Sequence, residues 1–118
     1  MQDTRELLKL IAEALQEKKG SDIRILEVKD LTLITDYFVI ASGSSRIQVQ
    51  ALARHVEEKL EEHGVAPFRV EGFQEAQWIL MDYGTVVVHV FLPEQREYYN
   101  LERLWGDAKV ITDLIDPV

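Results

Sequence analysis

Apolar residues recur at Leu7, Leu8, Ile11 and Leu15, the spacing of one face of a helix, and predict a first helix from Asp3 to Lys19. Asp3 and Glu6 have capping-box spacing, and Lys18, Lys19 and Gly20 supply the basic, glycine-closed end that suits a helix C-terminus. The period then shortens to two: Asp22 to Val28 alternates and is β-branched, the pattern of a strand. Asp30 to Asp36 is a Thr- and Asp-rich connector, and Tyr37 to Ala41, apolar on both faces, reads as a central strand. Ser42-Gly43-Ser44-Ser45 interrupts it. Ser45 and Gln48 offer a second capping box, and Val49, Leu52, Ala53, Val56 and Leu60 form the apolar stripe of a helix running to Glu62.

Phe68 to Phe73, Gln77 to Asp82 and Thr85 to Leu92 read as three more strands, the last two a hairpin turning at Tyr83-Gly84, where Gly supplies the positive φ. Pro93 stops the fifth strand, Glu94 to Trp105 predicts a short helix or a turn followed by one, and Val110 to Ile115 is a weakly apolar tail that either docks or frays. The order α-β-β-α-β-β-β-α describes one α/β (α+β) domain: a mixed five-stranded sheet with helices packed on it, over 1–108, followed by a C-terminal tail, 109–118. The strand-helix-strand unit calls for a parallel pair and the hairpin for an antiparallel one.

Composition narrows the function more than the fold. Of 118 residues 47% are hydrophobic, but no apolar run approaches the roughly 20 residues that span a bilayer, so no membrane partner is expected. The absence of Cys removes disulfides, thiolate metal sites and a cysteine nucleophile. A net charge of −8, from 13 basic against 21 acidic residues, disfavours direct binding to nucleic acid and either suits a basic protein surface or simply keeps the chain soluble by repulsion. The charged N-terminus has neither a signal-peptide core nor transit-peptide character, so a cytoplasmic location is expected.

Three places can carry chemistry. Ser42 to Arg46, between a strand and a helix N-terminus, offers backbone N–H groups to an anion, and a similar turn holds triphosphate in nucleotidyltransferases. That chemistry needs paired carboxylates for metal ions; the following strand, Pro67 to Phe73, offers Glu71 alone. The three histidines, His55, His63 and His89, have no metal-ligand spacing with an acid, and neither a metal site nor a cofactor is implied. The third place is the hairpin. Alternation puts Val86, Val88 and Val90 under the helices with Ile79 and Met81, and gathers Trp78, Leu80, Asp82, His89 and Phe91 on the opposite face. That mixed face fits either a contact surface or a core closed by Tyr99, Leu101, Leu104 and Trp105.

Four segments, Asp30 to Ala53, Glu71-Gly72, Trp78 to Phe91 and Tyr98 to Ala108, resemble the Iojap family, the ribosomal silencing factors, in the family's order. The pattern W-x-L-x-D-Y-G-x-V-x-V-H-x-F followed by Y-x-L-E-x-L-W is specific to it. The resemblance implies a nucleotidyltransferase-like fold without the catalytic carboxylates, and therefore no enzyme. It implies binding to the large ribosomal subunit at its fourteenth protein, blocking small-subunit joining and slowing translation when nutrients run short. A homodimer when free is also implied. Carried over position by position, it marks Trp78, Leu80, Asp82 and Tyr83 as partner contacts, then His89, Tyr98, Tyr99, Leu101, Glu102 and Trp105. Two other readings stand beside it: a nucleotide-binding enzyme built on Ser42 to Arg46, and a homodimerising adaptor.

Overall fold

The structure, a computed structural model, describes residues 3–115. Helix α1 (Thr4–Glu17) is followed by strands β1 (Ser21–Glu27) and β2 (Tyr37–Ser42), then helix α2 (Arg46–Glu61). Strands β3 (Arg69–Glu71), β4 (Trp78–Asp82) and β5 (Val86–Phe91) come next. Helices α3 (Pro93–Tyr99) and α4 (Leu101–Leu104) precede a short strand β6 (Lys109–Ile111).

The sheet is mixed, as the pattern requires, but holds six strands in the order β3-β4-β5-β2-β1-β6. The sixth comes from the segment expected to be a tail, where Lys109, Val110 and Ile111 pair antiparallel with Glu27, Leu26 and Ile25. The parallel pair is β2 with β5, Val39 opposite Val88. β3, which follows α2, is separated from β2 by two strands, because the β4–β5 hairpin inserts between them. All other pairings are antiparallel.

Helices α1 and α2 pack on one face. Their stripes, Leu7, Leu8, Ile11 and Leu15 with Val49, Leu52, Ala53, Val56 and Leu60, enclose one cluster with Ile25, Val39, Ala41, Ile79, Met81, Val86, Val88 and Val90. The expected valine face is therefore the floor of the main core. Asp3 makes no side-chain cap at α1, where its main-chain carbonyl instead accepts from Leu7 N–H at 2.9 Å. At α2 the box is half formed: Ser45 Oγ accepts from Gln48 N–H at 3.1 Å, but the Gln48 side chain accepts from Ser44 N–H rather than from Ser45.

The segment from Glu94 to Trp105, expected as a short helix or a turn followed by one, holds two short helices. Asn100 takes a left-handed conformation (φ 45°, ψ 61°), ends α3 and caps α4 through its side-chain oxygen, which accepts from Arg103 N–H. Asn tolerates that conformation better than most residues, and the break turns the chain back across the second face of the sheet.

Candidate functional site

The second face displays Phe38, Ile40 and Ser42 from β2, Val87, His89 and Phe91 from β5, and Trp78, Leu80 and Asp82 from β4. Its register, Trp78 opposite Phe91 and Leu80 opposite His89, brings together the residues that alternation grouped. Gly84, at φ 87°, closes the hairpin, and its N–H donates to Asp82 Oδ1 at 2.8 Å. Gly72 sets the approach to β4: a Cβ there would lie 2.1 Å from the Trp78 carbonyl oxygen.

The cover is partial. Over β1 and β2, Leu101, Trp105 and Ala108 pack on a cluster of Leu26, Val28, Phe38, Ile40, Val87 and Phe91, with Trp105 edge-on to Phe38 at 5.4 Å. Arg96, almost fully enclosed, pins the two short helices down by donating to Ser42 Oγ (2.9 Å) and to both carboxylate oxygens of Glu102 (3.2 Å). Toward β4 the cover thins. Trp78 is half-buried, stacked on Phe91 (centroids 5.0 Å, planes 26° apart) and tilted against Tyr99 at 4.7 Å. Leu80 is half-buried beside it, and Tyr98 projects outward, 81% exposed.

Most polar groups on this face are engaged within the chain. Trp78 Nε1–H donates to His89 Nδ1 at 3.0 Å. His89 is 4% exposed, sits edge-on to Phe38 at 5.0 Å, and has no partner for Nε2. Its burial lowers its pKa from 6.5 to about 4, so the ring is neutral near pH 7. Asp82 Oδ2 lies 3.4 Å from the Arg69 guanidinium, which also donates to Glu71 at 2.7 Å. Asp82, Glu71 and Glu102, the acids beside this face, thus each hold an arginine of this chain.

The sequence-marked residues therefore divide. Trp78, Leu80, Asp82, Tyr98 and Tyr99 line one accessible strip from β4 to α3, whereas Leu101, Glu102 and Trp105 form the lid over β1 and β2. His89 lies beneath the strip. Tyr83 faces the other way: it is 6% exposed in the main core, and its hydroxyl has no partner. Burial pushes its phenol well above the ordinary range, with the Glu57 charge adding to the effect.

Two features escaped sequence reasoning. Arg96 and Glu102 are six residues apart, not a helical pair, and meet because Asn100 reverses the chain. Leu33, Ile34 and Phe68 are largely exposed at one end of the sheet; the connector's Thr35 hydroxyl donates to the Gly84 carbonyl, and the Phe68 ring lies over Gly84. Their only signal is apolar residues in a segment rich in turn formers.

The Ser42–Arg46 turn is occupied by its own chain. Gly43 N–H donates to the Phe91 carbonyl at 2.9 Å, Ser44 N–H to Gln48 Oε1 at 2.6 Å, and Ser45 Oγ caps α2. A Cβ on Gly43 would lie 3.0 Å from Val49 atoms, so its closeness serves packing of the helix on the strand. Among the described residues, no three His, Asp or Glu side chains converge as a metal-ligand set would, and no helix is long and apolar enough to cross a membrane.

Comparison with known proteins adds a family. A family profile described as "Ribosomal silencing factor during starvation" matches residues 1–117. The chain is similar to the ribosomal silencing factor RsfS of Bacillus subtilis, 47% identical over 104 residues, which cover 88% of each chain. It is also similar to a crystal structure from Chromobacterium violaceum, with a TM-score of 0.87 and 45% identity over 89% of this chain and 88% of the other. A mouse protein called "Mitochondrial assembly of ribosomal large subunit protein 1" is 34% identical, over 81% of this chain and 43% of its own length.

Proposed function

The chain belongs to the ribosomal silencing factor family, and from that premise we propose that it represses translation by binding the large ribosomal subunit at its fourteenth protein and blocking the small subunit. The observation that carries this reading is the partly covered aromatic strip, with Trp78 held between Phe91 and Tyr99 and Tyr98 beside it. Half-buried tryptophan and tyrosine with a polar rim are the usual composition of an interface hot spot. A net charge of −8 favours encounter with a basic ribosomal protein over bare RNA. The mouse relative's name, which refers to the large subunit, points to the same particle. Occlusion needs only bulk at the joining face, and the need for it is greatest when nutrients are short.

Cosedimentation with separated ribosomal subunits tests this. The protein should pellet with the large subunit and not the small, and excess protein should reduce joining. Trp78→Ala should weaken large-subunit binding by about tenfold or more while keeping a cooperative melt. Undiminished binding by a folded Trp78→Ala protein would remove this strip from the interface. Normal joining with the large subunit saturated would rule out occlusion.

A further inference from the structure

Strand β5 is aliphatic at Val86, Val87, Val88 and Val90, and into this run it places one imidazole, buried as deeply as its neighbours. Leucine at position 89 would fill a similar volume and carry no polar atom of its own in need of a partner. The imidazole leaves one: because Nδ1 accepts the indole N–H, the proton of the neutral ring lies on Nε2, which is buried and unpartnered. Such groups are rare in folded proteins and ask for a reason.

The geometry supplies one. Phe91 and Tyr99 fix the plane in which the Trp78 ring lies, but stacking alone lets an indole slide or turn over within that plane. The bond to His89 is the one directional contact the indole makes, and it fixes which edge points inward. We propose that His89 is a positioning residue for the docking strip: it takes up the Trp78 N–H, so that the indole meets its partner as a fixed hydrocarbon and π surface rather than as a hydrogen-bond donor. This rests on the reading that the strip docks on the large subunit, and it deepens that reading by stating what the partner must offer. The complementary group is apolar or cationic, such as an aliphatic side chain or the stem and head of Lys or Arg, and not a carbonyl or carboxylate seeking the N–H.

Nuclear magnetic resonance on the wild-type protein tests the bond directly: His89 should be the Nε2–H tautomer, and the Trp78 indole proton should exchange slowly with solvent. His89→Leu should melt no lower than wild type, release that proton to fast exchange, and weaken large-subunit binding about tenfold. His89→Asn, whose Oδ1 stands where Nδ1 does, should restore most of the affinity even if it melts lower. In a Trp78→Phe background, His89→Leu should cost little further affinity. A purely structural His89 would instead lower the melt and leave binding intact among molecules still folded. Wild-type affinity in His89→Leu, or a fast-exchanging indole proton in the wild type, overturns the proposal. Undiminished binding by Trp78→Ala overturns the docking reading instead, and the exchange rate still decides whether His89 holds the indole.

Discussion

Strand β5 sends Val86, Val88 and Val90 toward α1 and α2, and Val87, His89 and Phe91 toward α3 and α4. The first face is closed by two long helices with aliphatic side chains, and among the described residues the buried polar side-chain atom it leaves without a partner is the Tyr83 hydroxyl. The second is closed by two short helices, sets rings among its aliphatic groups, and is tied by directional bonds: Trp78 to His89, and Arg96 to Ser42 and Glu102. Aliphatic packing is tolerant of detail and rewards volume, whereas rings and hydrogen bonds impose orientation. The helix-covered face therefore accounts for most of the folding free energy. The aromatic face accounts for the shape that, under the proposed function, a partner would read.

If that division is correct, a charge in the first face should have the largest effect. Val88→Asp buries an unpaired carboxylate between the helices and should cost more than about 4 kcal/mol, seen as loss of the cooperative thermal transition. A folded Val88→Asp protein would show that the two faces are more alike than their composition suggests.

Mild acid, above the range in which carboxylates titrate, should act on the second face through His89. Below pH 6.5 the unfolded chain takes up a proton at His89 that the folded chain refuses until about pH 4. Stability from this group is thus complete above 6.5 and is lost as pH falls, by about 2 kcal/mol on reaching about pH 5. Between about pH 7 and about pH 5 the melting temperature of wild type should fall relative to that of His89→Leu if burial of this ring is the cause. Equal pH dependence in both would assign it elsewhere.

The lid should respond more weakly. Arg96→Ala removes bonds to Ser42 and Glu102 and should cost about 1–2 kcal/mol, with faster amide exchange confined to α3 and α4. Exchange rising equally over α1 and α2 would make the lid part of the main cooperative unit. The smallest effect is expected at Tyr83→Phe. It removes a buried hydroxyl with no partner and should change stability by less than about 1 kcal/mol, in the stabilising direction. A larger loss in a denaturant titration would reveal a partner for that hydroxyl.

Much of this contrast was legible in the residues. Period-two alternation and the glycine at 84 set the hairpin register, and with it the separation of the Val86, Val88 and Val90 face from the Trp78, Leu80 and His89 face. The helical stripes were legible for the same reason, since apolar spacing reports burial directly. Tyr83 marks the limit. Alternation assigned it to the helix-covered face, where it lies, while its place in the family motif made it a candidate contact; a motif position does not separate the two roles. The break at Asn100 was hidden because an asparagine within a helical pattern costs little until its own φ and ψ are known. The His89–Trp78 bond depends on side-chain rotamers, which alternation does not report. Strand β6 is three residues long, too short to show a period.

That short strand does more than add a rung. β1 would otherwise present a row of unpaired backbone N–H and C=O groups along its outer side, an invitation for any other extended chain to add itself there. Lys109 to Ile111 close the stretch from Ile25 to Glu27, and just beyond them Asp113 pairs with Arg5 of the first helix, so the C-terminal segment is fastened at both the sheet and the helix layer. At the opposite border, β3 is equally short and carries Arg69 and Glu71. Both borders are thus blunted by brevity and charge. Clipping the chain ahead of Lys109 would leave the aromatic face in place but bare one border, converting a self-contained sheet into one that can recruit its own copies edge to edge.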